Sequence, residues 1–313
     1  MTFLNMMDEL NYQRTKYDLN QKLSQLINQE GYISFEPDFF EDYENFMLKN
    51  RRVKKENMVK MIDQDGRILV LRPDITTLLM RQIVPKWQQD SVIRLFYHST
   101  IFKRNALGKL DTQRQFGVEL LGEKRIEADL EILSIVSKVL DTLDVDYVVE
   151  LSDTRFLDFM MSELNLNEKE QNEFKDILFR KSSYDLMRFT ESKTMSKAMS
   201  LLLDNIFSLQ GSIEDVEKKM SKLYFNEVIQ SIFNDLKKRL ALVNRKKKWM
   251  VDLSLVSTYD YYEGILFKGF IHGSNNAVLS GGRYDPLTEQ YGKKIPAIGF
   301  TLNTQELVKE VLR

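Results

Sequence analysis

Residues 95–122 read LFYHSTIFKRNALGKLDTQRQFGVELLG, a strand, a basic loop and a return strand. In the first strand Leu95, Tyr97, Ser99 and Ile101 alternate with Phe96, His98, Thr100 and Phe102. Apolar residues on both faces are what a strand near the middle of a covered sheet carries. The loop holds Arg104, Lys109 and Arg114 around Gly108. The return strand puts Gln115, Gly117 and Glu119 on one face, and Phe116, Val118 and Leu120 on the other. A buried carboxyl without partners is costly. Two readings follow: a polar structure covers that face, or the strand is an edge with a wet face.

Upstream, residues 11–29 have amphipathic helical spacing through Leu19, Leu23, Leu26 and Ile27, and Gly31 sits where a C-terminal cap belongs. Residues 32–35 read as a short strand ended by Pro37, and residues 38–46 as a strand or turn followed by a helix. KNRRVKK (49–55) reads as a solvated basic loop. Residues 59–72 form a hairpin about Asp65-Gly66. Pro73 stops it, and residues 74–84 follow as a helix with Asp74, Thr76 and Thr77 in its first turn, where capping is the ordinary role.

Downstream, residues 127–143 are helical and 145–151 a strand. Between Gly122 and Gly264 only Gly211 intervenes, with no proline, and residues 156–245 keep a helical period nearly throughout. This predicts a helical subdomain set into an α/β framework, left through RKKK (245–248). The expected organisation is a core of residues 1–153 and 249–313 around an insertion of residues 154–248. WMVDLSL (249–255), ILFKGFI (265–271) and PAIGF (296–300) are strands, Gly281 to Pro286 a tight connection into a helix, and residues 304–312 the last helix. The pattern is α+β: a mainly antiparallel sheet flanked by helices.

With 45 basic and 46 acidic residues in 313, the balance of charge argues against a chain built mainly to hold nucleic acid or an anionic membrane. It has no cysteine and only His98 and His272, so thiolate chemistry and a His-rich metal centre are excluded. No apolar run approaches the roughly 20 residues of a membrane span, and MTFLNMMDEL has no signal-peptide pattern; a cytoplasmic location is the default. Phosphate-loop, dinucleotide-binding and nucleophile-elbow motifs are absent. No cofactor, metal or catalytic residue is expected.

Four stretches in order, LRPDITT (71–77), the QFGVELLG strand, YDYYEGILFKGF (259–270) and SGGRYDPLTEQYG…PAIGF (280–300), resemble the catalytic domain of histidyl-tRNA synthetases. That resemblance implies a class II aminoacyl-tRNA synthetase-like antiparallel sheet, a helical insertion and a dimer. Positions matching the family's histidine contacts are Asp74, Thr76, Gln115, Glu119, Tyr261 and Tyr262, a set suited to an ammonium and an imidazole.

The departures fall on the phosphate side. Where the family has arginines, this chain has Lys103, Ser257 and Glu306, and Asn105 replaces a glutamate. Lysine loses the bidentate geometry of arginine, and losing one charge-stabilising donor typically costs about 2.7–4 kcal/mol of transition-state stabilisation. Lys103 and Arg104 remain as candidate cations for a ligand carboxylate. The chain stops at Arg313 with no anticodon-binding domain after it, so recognition of transfer RNA is not expected.

Histidine recognition without phosphate chemistry is similar to the ATP phosphoribosyltransferase regulatory subunits. The resemblance implies a short catalytic subunit as partner, histidine as feedback effector, and a homodimer within a hetero-oligomer, a hetero-octamer by analogy. The competing readings are a truncated synthetase-like enzyme activating histidine with ATP, and a nucleic-acid-binding scaffold.

Overall fold

The computed structural model describes residues 5–49, 55–105, 107–243, 248–257, 259, 261–274 and 276–312. The basic stretch at 50–54 and most of the predicted exit linker, 244–247, lie outside these residues. Helix α1 (Met6–Gln29) starts at Asn5, whose side chain accepts from the Asp8 N–H, and ends before Gly31, whose φ of +84° suits glycine. Strand β1 (Ile33–Ser34) leads to β2 (Phe40–Asp42) and α2 (Tyr43–Lys49). The hairpin is β3 (Lys60–Ile62) and β4 (Ile68–Leu71), and these pair with β2 as a separate three-stranded sheet, β2-β4-β3. Helix α3 (Ile75–Ile83) follows, capped by Asp74.

The central hairpin is β5 (Ile93–Arg104) and β6 (Leu110–Leu121), followed by α4 (Arg125–Thr142) and β7 (Tyr147–Asp153). Then come α5 (Thr154–Glu163), α6 (Glu168–Phe179), α7 (Ser183–Thr190), α8 (Lys197–Asn205), β8 (Gln210–Gly211), α9 (Ile213–Leu223) and α10 (Glu227–Val243). The chain closes with β9 (Trp249–Asp252), β10 (Ile265–Ile271), β11 (Leu279–Arg283), α11 (Asp285–Glu289), β12 (Ala297–Asn303) and α12 (Thr304–Val311).

Nine strands form the main sheet in the order β1-β5-β6-β12-β11-β10-β7-β9-β8, antiparallel except for β1 with β5 and β7 with β9. Strand β6 lies between β5 and β12, so the edge reading of the return strand is excluded and a polar cover over Glu119 is required.

One face of the sheet buries Phe96, Phe116, Val118, Phe300 and Leu302 beneath α1, α4 and α12, in an apolar core continuous with Phe156, Phe174 and Phe233 of α5, α6 and α10. The other face carries a smaller core of Ile75 and Leu79 from α3 with Tyr97, Leu121, Tyr261, Tyr284 and Leu287. Glu119 belongs to this second face.

Three sequence expectations need correction. Gly281, Gly282 and Arg283 lie inside β11 rather than in a tight connection; the strands approach so closely that a Cβ on Gly281 would stand 2.4 Å from the Gly299 carbonyl oxygen. Strand β9 stops at Asp252, because its carboxylate accepts from the Ser254 N–H (2.9 Å) and hydroxyl (2.7 Å) and turns the chain. The segment between β7 and β9 is not purely helical, since its two-residue β8 extends the sheet beyond β9. Among the described residues no helix is long and apolar enough to cross a membrane, and no group of three or more His, Asp or Glu is placed to hold a metal.

Candidate functional site

Strand register builds the site floor. Glu119 on β6 pairs with Gly299 on β12, which pairs with Gly282 on β11. Directly opposite residues share a face, so the carboxyl leans over two positions without side chains. A Cβ on Gly299 would lie 1.9 Å from Glu119 Oε2, and one on Gly282 would lie 2.8 Å from the Tyr262 ring. The neighbouring row repeats the device: Gly117 pairs with Tyr97, and a Cβ there would lie 2.1 Å from the Tyr97 ring. These glycines are the spaces into which Glu119, Tyr262 and Tyr97 fold.

The polar cover comes from α3 and from the start of α11. Pro73 disfavours helix at the residue before it, and α3 starts at Ile75 behind its cap Asp74, which accepts from the Thr77 N–H (2.8 Å) and hydroxyl (2.5 Å). This one-turn cap points Thr76 at the sheet, where its hydroxyl donates to Glu119 Oε1 at 2.8 Å. Tyr284 donates to Glu119 Oε2 at 2.5 Å. The second Asp74 oxygen accepts a long bond, 3.5 Å, from the Tyr261 hydroxyl. Tyr261 stacks on Tyr259 at 5.1 Å and packs against Tyr262 at 5.0 Å between ring centres. The Tyr97 hydroxyl, fully buried beside Thr76, completes no bond of normal geometry.

Burial pushes the Glu119 carboxyl up to about 8, against the opposing pull of its bonds from Tyr284 and Thr76. Burial also raises Asp74, opposed by the Thr77 bonds. Tyr97, Tyr261, Tyr262 and Tyr284 are raised far above their ordinary range by burial, so all four stay protonated as donors. Among the described residues no Lys, Arg or His bonds to Asp74 or Glu119. Two desolvated carboxyls without a cation are the complement of a small cationic ligand with several N–H donors.

Of the residues expected from sequence, the structure brings together Asp74, Thr76, Glu119, Tyr261 and Tyr262. Gln115 is buried on the same face but stands four residues, about 13 Å, along the strand, paired with Ser99 and Asn303 and outside the hydrogen-bonded group. Lys103 also faces this side, yet it bonds Gln113 (2.9 Å) and sits eight residues from Leu95, the register partner of Glu119, about 26 Å away. Arg104 faces the opposite side and donates to the Gly108 carbonyl. Asn105 accepts from the N–H groups of Leu107 and Lys109 in its own turn, and Glu306 pairs with Lys309 on α12.

Tyr284 and Tyr97 were not singled out as site residues from the sequence. GGRYD held the signal for the first, and the alternation that places Tyr97 opposite Gly117 held it for the second. Also missed is a buried ion cluster beside the site. Asp129 on α4 accepts from Arg283 Nη1 (2.7 Å) and, through its other oxygen, from Arg239 Nε (2.8 Å) and Nη2 (2.6 Å) of α10. Arg283 also reaches Asp285 at 3.0 Å.

Residues 10–307 match the family model described as Histidyl-tRNA synthetase. An ATP phosphoribosyltransferase regulatory subunit from Clostridium novyi (strain NT) is 30% identical over 306 residues, covering 95% of this chain and 72% of that protein. The chain belongs to the ATP phosphoribosyltransferase regulatory subunit family. Among solved structures, an ATP phosphoribosyltransferase regulatory subunit/histidyl-tRNA synthetase from Bacillus halodurans C gives a TM-score of 0.84 at 25% identity, covering 96% of this chain and 79% of that one. A chain of the ATP phosphoribosyl transferase (HisG:HisZ) complex from Thermotoga maritima gives 0.69 at 16% identity, covering 92% and 97%, and shows the shared fold.

Proposed function

We propose that this chain is a non-catalytic regulatory subunit of ATP phosphoribosyltransferase. It binds histidine in the Glu119 pocket and sets the activity of a separate short catalytic subunit. The observation that carries the reading is a pair of buried carboxyl groups, Asp74 and Glu119. Among the described residues no Lys, Arg or His bonds them, which suits the ammonium and imidazole of histidine and opposes the triphosphate that an adenylating enzyme must hold. Glu119, Tyr284 and Tyr262 would hold the imidazole, and Asp74 with Tyr261 the ammonium. Gln115 closes the far end of the same face. Homologues named as regulatory subunits, and a fold shared with a chain of a two-component complex, support the partner assignment.

On this reading the protein is cytoplasmic, forms a homodimer and enters a hetero-octamer with the catalytic subunit. Residues 154–248 are an insertion into a core of residues 1–153 and 249–313; β7 and β9, which flank it, are neighbours in the sheet. Feedback requires that histidine bind two states of the complex unequally, since equal affinity shifts nothing.

The test is to co-purify the chain with a short catalytic subunit and assay phosphoribosyl transfer with and without histidine. The expected result is activation by this chain, inhibition by histidine, and a melting temperature raised by histidine more than by other amino acids. Histidine-dependent exchange of pyrophosphate into ATP would instead assign a synthetase-like enzyme.

A further inference from the structure

A small cavity opens beside the carboxyl pair, on the far side of Tyr262. Its volume is about 50 Å³, and Asp158 of α5, Lys175 of α6, Ser257, Tyr259 and Tyr262 are among its lining residues. That is room for a carboxylate and too little for a whole amino acid. Tyr262 is the shared wall. Its ring lies over Gly282 and against Tyr261, which bonds Asp74, and it feels the charge of both Glu119 and Asp74.

Lys175 is half-buried and, among the described residues, forms no salt bridge, although it faces Asp158 across the cavity and attracts it. A half-buried lysine that lines a cavity and makes no hydrogen-bonded ion pair can give a charged hydrogen bond to an anion seated there. The other cations nearby are committed. Lys268 donates to the Val256 carbonyl at 3.0 Å and lies over the Phe179 ring. Arg283 is held by Asp129 and Asp285. Lys103 is several residues beyond side-chain reach of Glu119.

An α-amino acid whose cationic groups sit on Asp74 and Glu119 must point its carboxylate away from them. The adjacent opening that offers a cation is this one. We propose that Lys175 binds the α-carboxylate of the amino-acid ligand, with the Ser257–Tyr262 cavity as its subsite. This rests on the reading that the Glu119 pocket takes histidine, and it gives the segment between β7 and β9 a direct part in recognition. Asp158, facing the same cavity, tempers the attraction by opposing a second carboxylate.

The experiment is calorimetric titration of the full chain with histidine and with histamine, which lacks the carboxylate. Wild type should prefer histidine. Lys175→Met should weaken histidine about 10- to 100-fold, the range for a hydrogen bond to a charged group, while leaving histamine unchanged. Lys175→Arg should retain the preference, and Asp158→Asn should tighten histidine. An unchanged histidine affinity in Lys175→Met, or equal losses for both ligands, overturns the proposal. Wild type that binds neither ligand removes the histidine reading itself and this subsite with it. Wild type that binds both equally removes only the subsite.

Discussion

Replacing Glu119 by glutamine keeps the shape of the side chain and removes its titration. In the folded protein the carboxyl is pushed from its ordinary 4.5 to about 8 by burial. Below about pH 4.5 folded and unfolded chains both hold this proton. Between about 4.5 and 8 only the folded chain does, so the unfolded state binds fewer protons and stability falls as pH rises. Above about 8 both are ionised and the loss is complete. At about 1.36 kcal/mol for each pH interval of one, the ceiling on that loss is about 5 kcal/mol.

The Gln variant lacks this contribution, while the raised Asp74 is common to both proteins and largely cancels. Urea unfolding at pH 5, 6.5, 8 and 9 should therefore show the variant gaining on wild type by a few kcal/mol between pH 5 and 8, then running parallel. Adding histidine should shrink the gap, since a cation against the ionised carboxylate restores its favour. Parallel curves from pH 5 to 8 without ligand would refute the claim that Glu119 is a desolvated, unpaired acid.

Gly299→Ala should destabilise by about 1–3 kcal/mol and abolish the histidine-induced rise in melting temperature, because its Cβ would occupy the place of Glu119 Oε2; a stable variant with intact ligand response would show that the floor yields. Asp129→Ala, which takes the shared carboxylate from the buried Arg283 and Arg239 and leaves Arg283 its bond to Asp285, should cost about 3–5 kcal/mol in denaturant unfolding, and a loss under 1 kcal/mol would mean that water reaches those guanidiniums.

Much of the frame was legible in local chemistry. Asp65-Gly66 marked one hairpin, the alternation at residues 95–121 marked the other, and Pro73-Asp74 marked the start of α3. The anomaly of Glu119 on an apolar strand led to the site without any contact being known. What supplies its partners was hidden, because Tyr284 and Gly299 arrive from β11–β12 more than 160 residues later, and only register brings them opposite. Gly281 and Gly282 read as a turn because glycine signals turns and close packing alike. The Arg239–Asp129–Arg283 cluster joins one α10 side chain to α4 and β11; at helical spacing Arg239 reads as one more charge on a solvated face. Strand β8 is too short to carry any period.

That cluster restricts how the subunit can respond to a ligand. Asp129 grips α10 and β11 with separate oxygens, so sliding one past the other would bare charges already removed from water. The far end of the β7–β9 excursion is thereby riveted to the sheet. Any movement of α6 over the Ser257 cavity must then be taken up between α5 and α9, because the root of the segment at α10 stays fixed to the sheet.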